Sequence, residues 1–260
     1  MNIVIILSGG TGTRLGGDIP KQYIEIDGKP VIGYCLDTFF AHPSVEAVQI
    51  VADDAWREYI LNYIRKTEKR TGKSKVENSD KIESEVPAKW KGFSAPGQNR
   101  QLSIYHALQD CMGYASPDDY VMIHDAARPF VSDACIAVSF QEVREHDGIL
   151  PVLPMKDTVY LSKDGKRISS LLNREQIFAG QAPETFHLGR YYEANRGLLP
   201  DRIKKINGST EPAILAGLDV AMTEGDEGNF KITTKADLER FRQKLSGRNI
   251  PDKGKTSDRF

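Results

Sequence analysis

The chain has 260 residues, 40% of them apolar and 27% charged, with a formal net charge of −1. That length and composition suit one α/β domain with a sizeable core, and the near-zero charge offers no global field to recruit nucleic acid or a membrane surface. Cys35, Cys111 and Cys135 lie far apart and form no CxxC pair, which argues against a disulfide framework or zinc site and for buried thiols in a reducing cytoplasm.

The opening run NIVIIL is continuously apolar, as in a strand buried on both faces. It is too short for a membrane span and lacks a basic leader or a small-residue cleavage site, so it reads as the first core strand of a cytoplasmic protein. Apolar residues at helical spacing follow in KPVIGYCLDTFFAH. VEAVQIVAD reads as a second strand and AWREYILNYIRK as an amphipathic helix. Residues 67–90 are rich in Lys, Glu and Ser and are expected to form a charged surface insertion. A helix is expected over Gln98–Met112, then a strand in YVMIHDAARPF, then a helix after Ser132 as N-cap. This alternation predicts an open, mostly parallel, Rossmann-like sheet with helices on both faces.

The pattern changes after Gly148. Two β-prone runs flank Asp164-Gly165, a strong hairpin signal, and predict a projecting β-arm over about 150–174; an ordinary edge hairpin is the alternative. Helices are expected near Leu188–Arg196 and Glu211–Leu218, a strand at Asn229–Thr233, and a closing helix at Lys235–Leu245 capped by Thr234. The domain then covers residues 1–245, and the polar tail 246–260 is expected to fray.

The chemistry is concentrated in SGGTGTRLGGDIPKQY, directly after the first strand. A glycine-rich turn there sits at the carboxyl edge of the sheet, where such folds bind ligands, and its N–H groups can face a phosphate. The string is no P-loop, because Lys21 follows Pro20 and not a glycine. It also misses the dinucleotide fingerprint: Gly10 and Gly12 fit, but Leu15 stands at the third position. Instead Arg14 and Lys21 place two cations at the loop, suited to neutralising charge that builds on a reacting phosphate. Two solvated surface cations remain the plain alternative.

The string GGTGTRLG…PKQY resembles the signature of the cytidylyltransferases that form CDP-polyols, namely the 2-C-methyl-D-erythritol 4-phosphate and D-ribitol 5-phosphate cytidylyltransferases. The likeness continues collinearly. Gly97-Gln98-Asn99-Arg100 with Ser103 resembles a nucleotide-contacting segment, and residues 124–129 spell HDAARP. Asp157-Thr158 and Asn173-Arg174 match the arm. Gln181-Ala182-Pro183 resembles a QTPQ segment, Thr210-Glu211 a Thr-Asp pair, and residues 229–233 NIKIT.

The resemblance implies that a polyol phosphate attacks the α-phosphate of CTP and releases pyrophosphate. The nucleophile is already an anion, so no general base is required. Arg14, Lys21 and Lys231 are implied as the catalytic cations. The nucleotide would be held by Ser8, Gly9, Gly10, Gly12, Thr13, Gly97, Arg100, Ser103 and Asp125. The polyol phosphate would be held by Arg128, Thr158, Arg174, Thr210 and Glu211. Asp125 is the candidate ligand for Mg²⁺, which keeps waters and phosphate oxygens in its shell. The arm is implied to act in trans within a homodimer, with neither nucleic acid nor membrane as partner. Ala182 departs from the family's threonine. Ser8-Gly9-Gly10, NREQIFAGQ and KITTKADL lean to the ribitol branch and HDAARP to the methylerythritol branch. Alternatives are a sugar-1-phosphate nucleotidylyltransferase of the same fold, a nucleotide binder without turnover, or, on glycine spacing alone, a nicotinamide oxidoreductase.

Overall fold

A computed structural model describes residues 1–10, 19–71 and 86–247. In chain order its strands and helices are β1 (Asn2–Leu7), the short pair β2 (Glu25–Ile26) and β3 (Lys29–Pro30), α1 (Val31–Ala41), β4 (Ala47–Val51), α2 (Asp54–Thr71), β5 (Trp90–Ser94), α3 (Arg100–Met112), β6 (Tyr120–Asp125) and α4 (Asp133–Glu142). Then come β7 (Gly148–Pro154), β8 (Val159–Leu161), β9 (Ser170–Leu172), β10 (Phe178–Gly180), β11 (Glu184–His187), α5 (Leu188–Arg196), α6 (Glu211–Leu215), β12 (Val220–Glu224) and α7 (Lys235–Leu245).

The main sheet runs β10-β7-β11-β6-β1-β4-β5, with β12 alongside β7. β1 pairs in parallel with β4 and β6, while β11 and β10 run antiparallel to their neighbours. The sheet is therefore mixed but mostly parallel, as the alternating pattern predicts. The all-apolar β1 explains the layering. Val4 and Ile6 face a cluster with Phe39, Ile60 and Phe140, on the α1, α2 and α4 side. Ile3 and Ile5 face Ile104, Leu108 and Tyr191, on the α3 and α5 side. A strand with no polar face needs a helical layer on each side, and both are present.

The caps are local. Asn99 accepts from the N–H of Leu102 at the start of α3, and Ser132 accepts from that of Cys135 at α4. Thr234 and Asp237 form a reciprocal capping box at α7. The expected arm is present in its outer part, where β8 and β9 pair antiparallel as a separate two-stranded sheet, whereas its first residues, up to Pro154, run in the main sheet as β7. Gly165 has a φ of +70° in the connecting turn, a backbone setting that glycine adopts without strain.

Three expectations need correction. Residues 229–233 form no strand. Phe230 and Ile232 instead pack with Leu238 and Phe241 of α7, and the Ile232 N–H bonds to the Ala127 carbonyl, so burial comes from a helix and not from a ladder. The charged segment does not start at residue 67, since α2 continues to Thr71; its centre, residues 72–85, lies outside the described residues. The helix expected over 211–218 stops at Leu215, before Gly217 with a φ of +73°. Most of the expected tail, residues 248–260, also lies outside the described residues. No helix among the described residues is long and apolar enough to cross a membrane.

Candidate active site

A cleft of about 660 Å³ opens where β1, α3, β6 and the segment before α7 meet. Its wall is the exit of β1. There Ser8 is buried, and its hydroxyl lies 2.7 Å from the Tyr23 hydroxyl. Gln22 donates its side-chain amide to the carbonyls of both Ser8 and Gly10, at 2.8 and 2.7 Å. The stretch PKQY thus turns Gln22 and Tyr23 inward to brace the glycine turn, while neighbouring Lys21 lines the cleft. Gly9 is required sterically: a Cβ there would sit 2.6 Å from the Cβ of Pro96. Gly12, Thr13 and Arg14 lie outside the described residues.

The second wall is the turn into α3. The Gly97 N–H donates to Ser103 Oγ at 2.9 Å, and Ser103 donates in turn to the Asn99 carbonyl at 3.0 Å. This closes a tight turn over the α3 N-terminus, a helix end whose dipole favours a phosphate. Arg100, the first residue of α3, reaches across to Asp125 at the end of β6, with Nε 3.1 Å from Oδ1. Lys231 holds the other oxygen, with Nζ 2.8 Å from Oδ2. Burial alone would raise the Asp125 pKa, but Arg100 and Lys231 overcome it and hold the carboxyl well below the usual carboxylate range. The cleft therefore carries an ionised carboxylate braced by two cations.

Behind it, His124 is fully buried, and Nε2 donates to the Arg128 carbonyl at 2.9 Å. Burial pushes its pKa down to about 4, so the ring is neutral at physiological pH. Glu184 of β11 is also buried, and a terminal nitrogen of Arg100 lies 3.8 Å from its Oε2. Burial raises the Glu184 pKa against the pull of Arg100.

The structure brings together Gly9, Gly10, Lys21, Gly97, Arg100, Ser103, Asp125 and Lys231, all of which line the cleft. Ser8 sits behind the wall. Arg128 turns aside from the cleft lining and donates Nη1 to the Asn229 carbonyl at 2.6 Å, bracing the segment that carries Lys231. Thr158 and Arg174 are exposed on the arm, with Arg174 donating to the Lys156 carbonyl at 3.1 Å. Thr210 and Glu211 start α6, where Glu211 accepts from the Asn207 N–H. None of these five lines the cleft. Sequence reasoning passed over Gln22, Asn99 and Glu184. Gln22 stands inside the quoted PKQY string, but its inward turn depends on the three-residue helical turn that follows Pro20. Asn99 was quoted for its resemblance, and as an N-cap it carried a readable signal.

Among the described residues no three His, Cys, Asp or Glu side chains converge as a metal cage. A lone ionised Asp125 in the cleft nevertheless fits Mg²⁺, which takes one or two carboxylates and completes its shell with phosphate oxygens and water.

Known proteins resemble this chain in sequence and fold. The family model for IspD, 2-C-methyl-D-erythritol 4-phosphate cytidylyltransferase, matches residues 2–245. A ribitol-5-phosphate cytidylyltransferase of Streptococcus agalactiae serotype V is 29% identical over 93% of this chain and 94% of its own. A bifunctional IspD/IspF enzyme of Bradyrhizobium diazoefficiens is 31% identical over 94% of this chain and 55% of its own. The crystal structure of the Francisella tularensis 2-C-methyl-D-erythritol 4-phosphate cytidylyltransferase aligns with a TM-score of 0.71 at 25% identity, covering 94% of this chain and 99% of that one. A synthase structure from Anaerococcus prevotii aligns at 0.74 and 20% identity, covering 94% and 96%, a likeness of fold. With a full-length family match, a shared fold and a cationic cleft at the sheet's carboxyl edge, the chain belongs to the IspD family of cytidylyltransferases.

Proposed function

We propose that the chain transfers CMP from CTP to D-ribitol 5-phosphate, with 2-C-methyl-D-erythritol 4-phosphate as the competing acceptor. The observation that carries the transfer is the pair of cations on Asp125, Arg100 and Lys231, set in a cleft walled by a glycine turn and Lys21. The lean to ribitol rests on Ser8-Gly9-Gly10 and the strings NREQIFAGQ and KITTKADL. The full-length ribitol-named relative supports it; HDAARP and the family model favour the other acceptor.

An anionic phosphate must approach an anionic phosphate, so the site works by cancelling repulsion and stabilising charge on the crowded phosphorus. The glycine turn and the α3 N-terminus hold the nucleotide through backbone N–H groups. Lys21 and Lys231, with Arg14, supply positive charge where it builds up in the transition state. Asp125 would hold Mg²⁺, which would supply further positive charge against the phosphates. Arg128 steadies the Lys231 segment from below, and its part in polyol-phosphate binding stays within this reading, as do those of Thr210 and Glu211.

Thr158 and Arg174 enter the same reading in trans. Among the arm residues, Ile168 and Leu171 are 67% and 64% exposed, and Tyr160 is 53% exposed. So much apolar surface on a thin hairpin supports a partner subunit covering it, and a homodimer would bring the arm to a neighbouring cleft. Residues 1–245 act as one domain in this account, in the cytoplasm, with its three thiols reduced.

The test is a substrate panel with CTP and Mg²⁺, reading the CDP-polyol product by phosphorus NMR. Ribitol 5-phosphate should give the highest kcat/KM. Preference for 2-C-methyl-D-erythritol 4-phosphate would move the assignment to the other branch.

A further inference from the structure

Behind the cleft lining, against Arg100, lies a carboxyl group that cytidylyl transfer does not itself call for. Glu184 opens β11, buried beneath the α3 N-terminus. One of its oxygens accepts from the Ser209 hydroxyl. The other, Oε2, has no hydrogen-bond partner among the described residues and faces Arg100 at 3.8 Å. A buried carboxylate with an unpartnered oxygen is costly.

Arg100 gives the charge a task. Its Nε holds Asp125 while its far end turns to Glu184. Lys231, Asp125, Arg100 and Glu184 thus form a row in which basic and acidic side chains alternate from cleft to interior. Without the last member, the guanidinium has one carboxylate left. A polyphosphate in the cleft would then compete for it, because Arg binds phosphate readily in forked geometry.

We propose that Glu184, ionised against Arg100, is a positioning residue that ties the guanidinium back from the cleft, keeping it on Asp125 and limiting how tightly the cleft holds CTP and the departing pyrophosphate. This rests on the cytidylyltransferase reading, in which both ligands occupy the cleft. The cation of the α3 start then serves to hold the Asp125 carboxylate in place. Lys231 and Lys21 remain the cations that meet the phosphates.

Glu184→Gln keeps the shape and an acceptor for Ser209 but removes the charge. Calorimetry with CTP and with pyrophosphate, no acceptor present, should show both binding roughly three- to tenfold tighter than to the wild type, as expected for one uncancelled charge near an anion site. In steady state kcat and the KM for CTP should fall together, because release is slowed. Glu184→Asp, which disturbs the same packing but keeps a carboxylate, should keep both affinities within about twofold. Glu184→Met must move them in the same direction as Glu184→Gln, so a folding defect in one variant leaves the other to decide. Unchanged or weaker binding in the charge-removing variants, or an equal effect of Glu184→Asp, would overturn the assignment. If the wild type binds neither ligand, the transferase reading falls and takes this inference with it. If it binds both and the variants do not tighten, only the role of Glu184 falls.

Discussion

At the scale of single residues the site turns on Asp125 and the two cations that hold it. Lys231 Nζ and Arg100 Nε take one oxygen each, so the carboxylate is ionised and fixed before any substrate arrives. Lys231→Ala is expected to lower kcat by about 10²–10³-fold, the usual scale for removing one group aimed at developing charge. CTP affinity, read by calorimetry, should change far less, since the lysine acts chiefly in the transition state. A variant that raises the KM for CTP with kcat intact would assign Lys231 to ground-state binding instead. Lys21, Arg100, Asp125 and Lys231 were legible in the sequence because each stands in a motif string. Glu184 was not: it meets Arg100 from a short antiparallel strand that pattern alone did not disclose. Arg128 was expected at the site from its motif string, but the direction of its side chain, away from the cleft lining and toward the Asn229 carbonyl, depends on how the segment carrying Lys231 folds back over residues 124–129.

Among the elements, the turn into α3 and the closing helix α7 matter most to the site. A Cβ on Gly97 would lie 2.4 Å from the Leu102 Cβ and 2.8 Å from the Ser103 nitrogen. Gly97→Ala must therefore shift the turn against α3 and loosen the bond from its N–H to Ser103. A displacement near 1 Å at such a wall costs about 10–100-fold in kcat/KM; unchanged kinetics with CTP would show that this wall does not position the nucleotide. The α7 start is held by Asp237, which accepts from the backbone and hydroxyl of both Thr233 and Thr234. Partial burial opposes its ionisation, but these bonds outweigh it and draw its pKa down to about 2. Its folded pKa lies below the unfolded value, so its stabilisation stands above about pH 4 and fades as pH falls from there through about 2. Asp237→Ala should cost about 1 kcal/mol at neutral pH, as for other cap losses, and the difference from wild type should shrink in acid melts. A deficit equally large at pH 2 would show that the loss comes from packing and not from the charged cap. α7, α4 and the hairpin at Asp164-Gly165 were readable because their caps and turns are local. Strands β5, β10, β11 and β12 were not, being short and held by long-range pairing, and residues 229–233 looked like a strand because packing under α7 buries alternate side chains much as a ladder would.

For the molecule as a whole, the parallel core around β1 follows from a strand with no polar face and from the alternation of strands with helices. The antiparallel insertion of β11 between β6 and β7 follows from neither. Cleft and arm are described in one chain, yet Thr158 and Arg174 do not line that chain's cleft. The trans reading then predicts a dimer at micromolar concentration by sedimentation, and Leu171→Asp should shift it to monomer and lower activity at saturating CTP. A fully active monomer would remove the arm from the site. The central claim, cytidylyl transfer, is tested most directly by pyrophosphate release in the presence of Mg²⁺ with CTP, UTP, GTP or ATP, each with and without a mixture of four- and five-carbon polyol phosphates. The account predicts release with CTP that depends on the acceptor. Preference for another nucleotide, or no release with any pair, would contradict it.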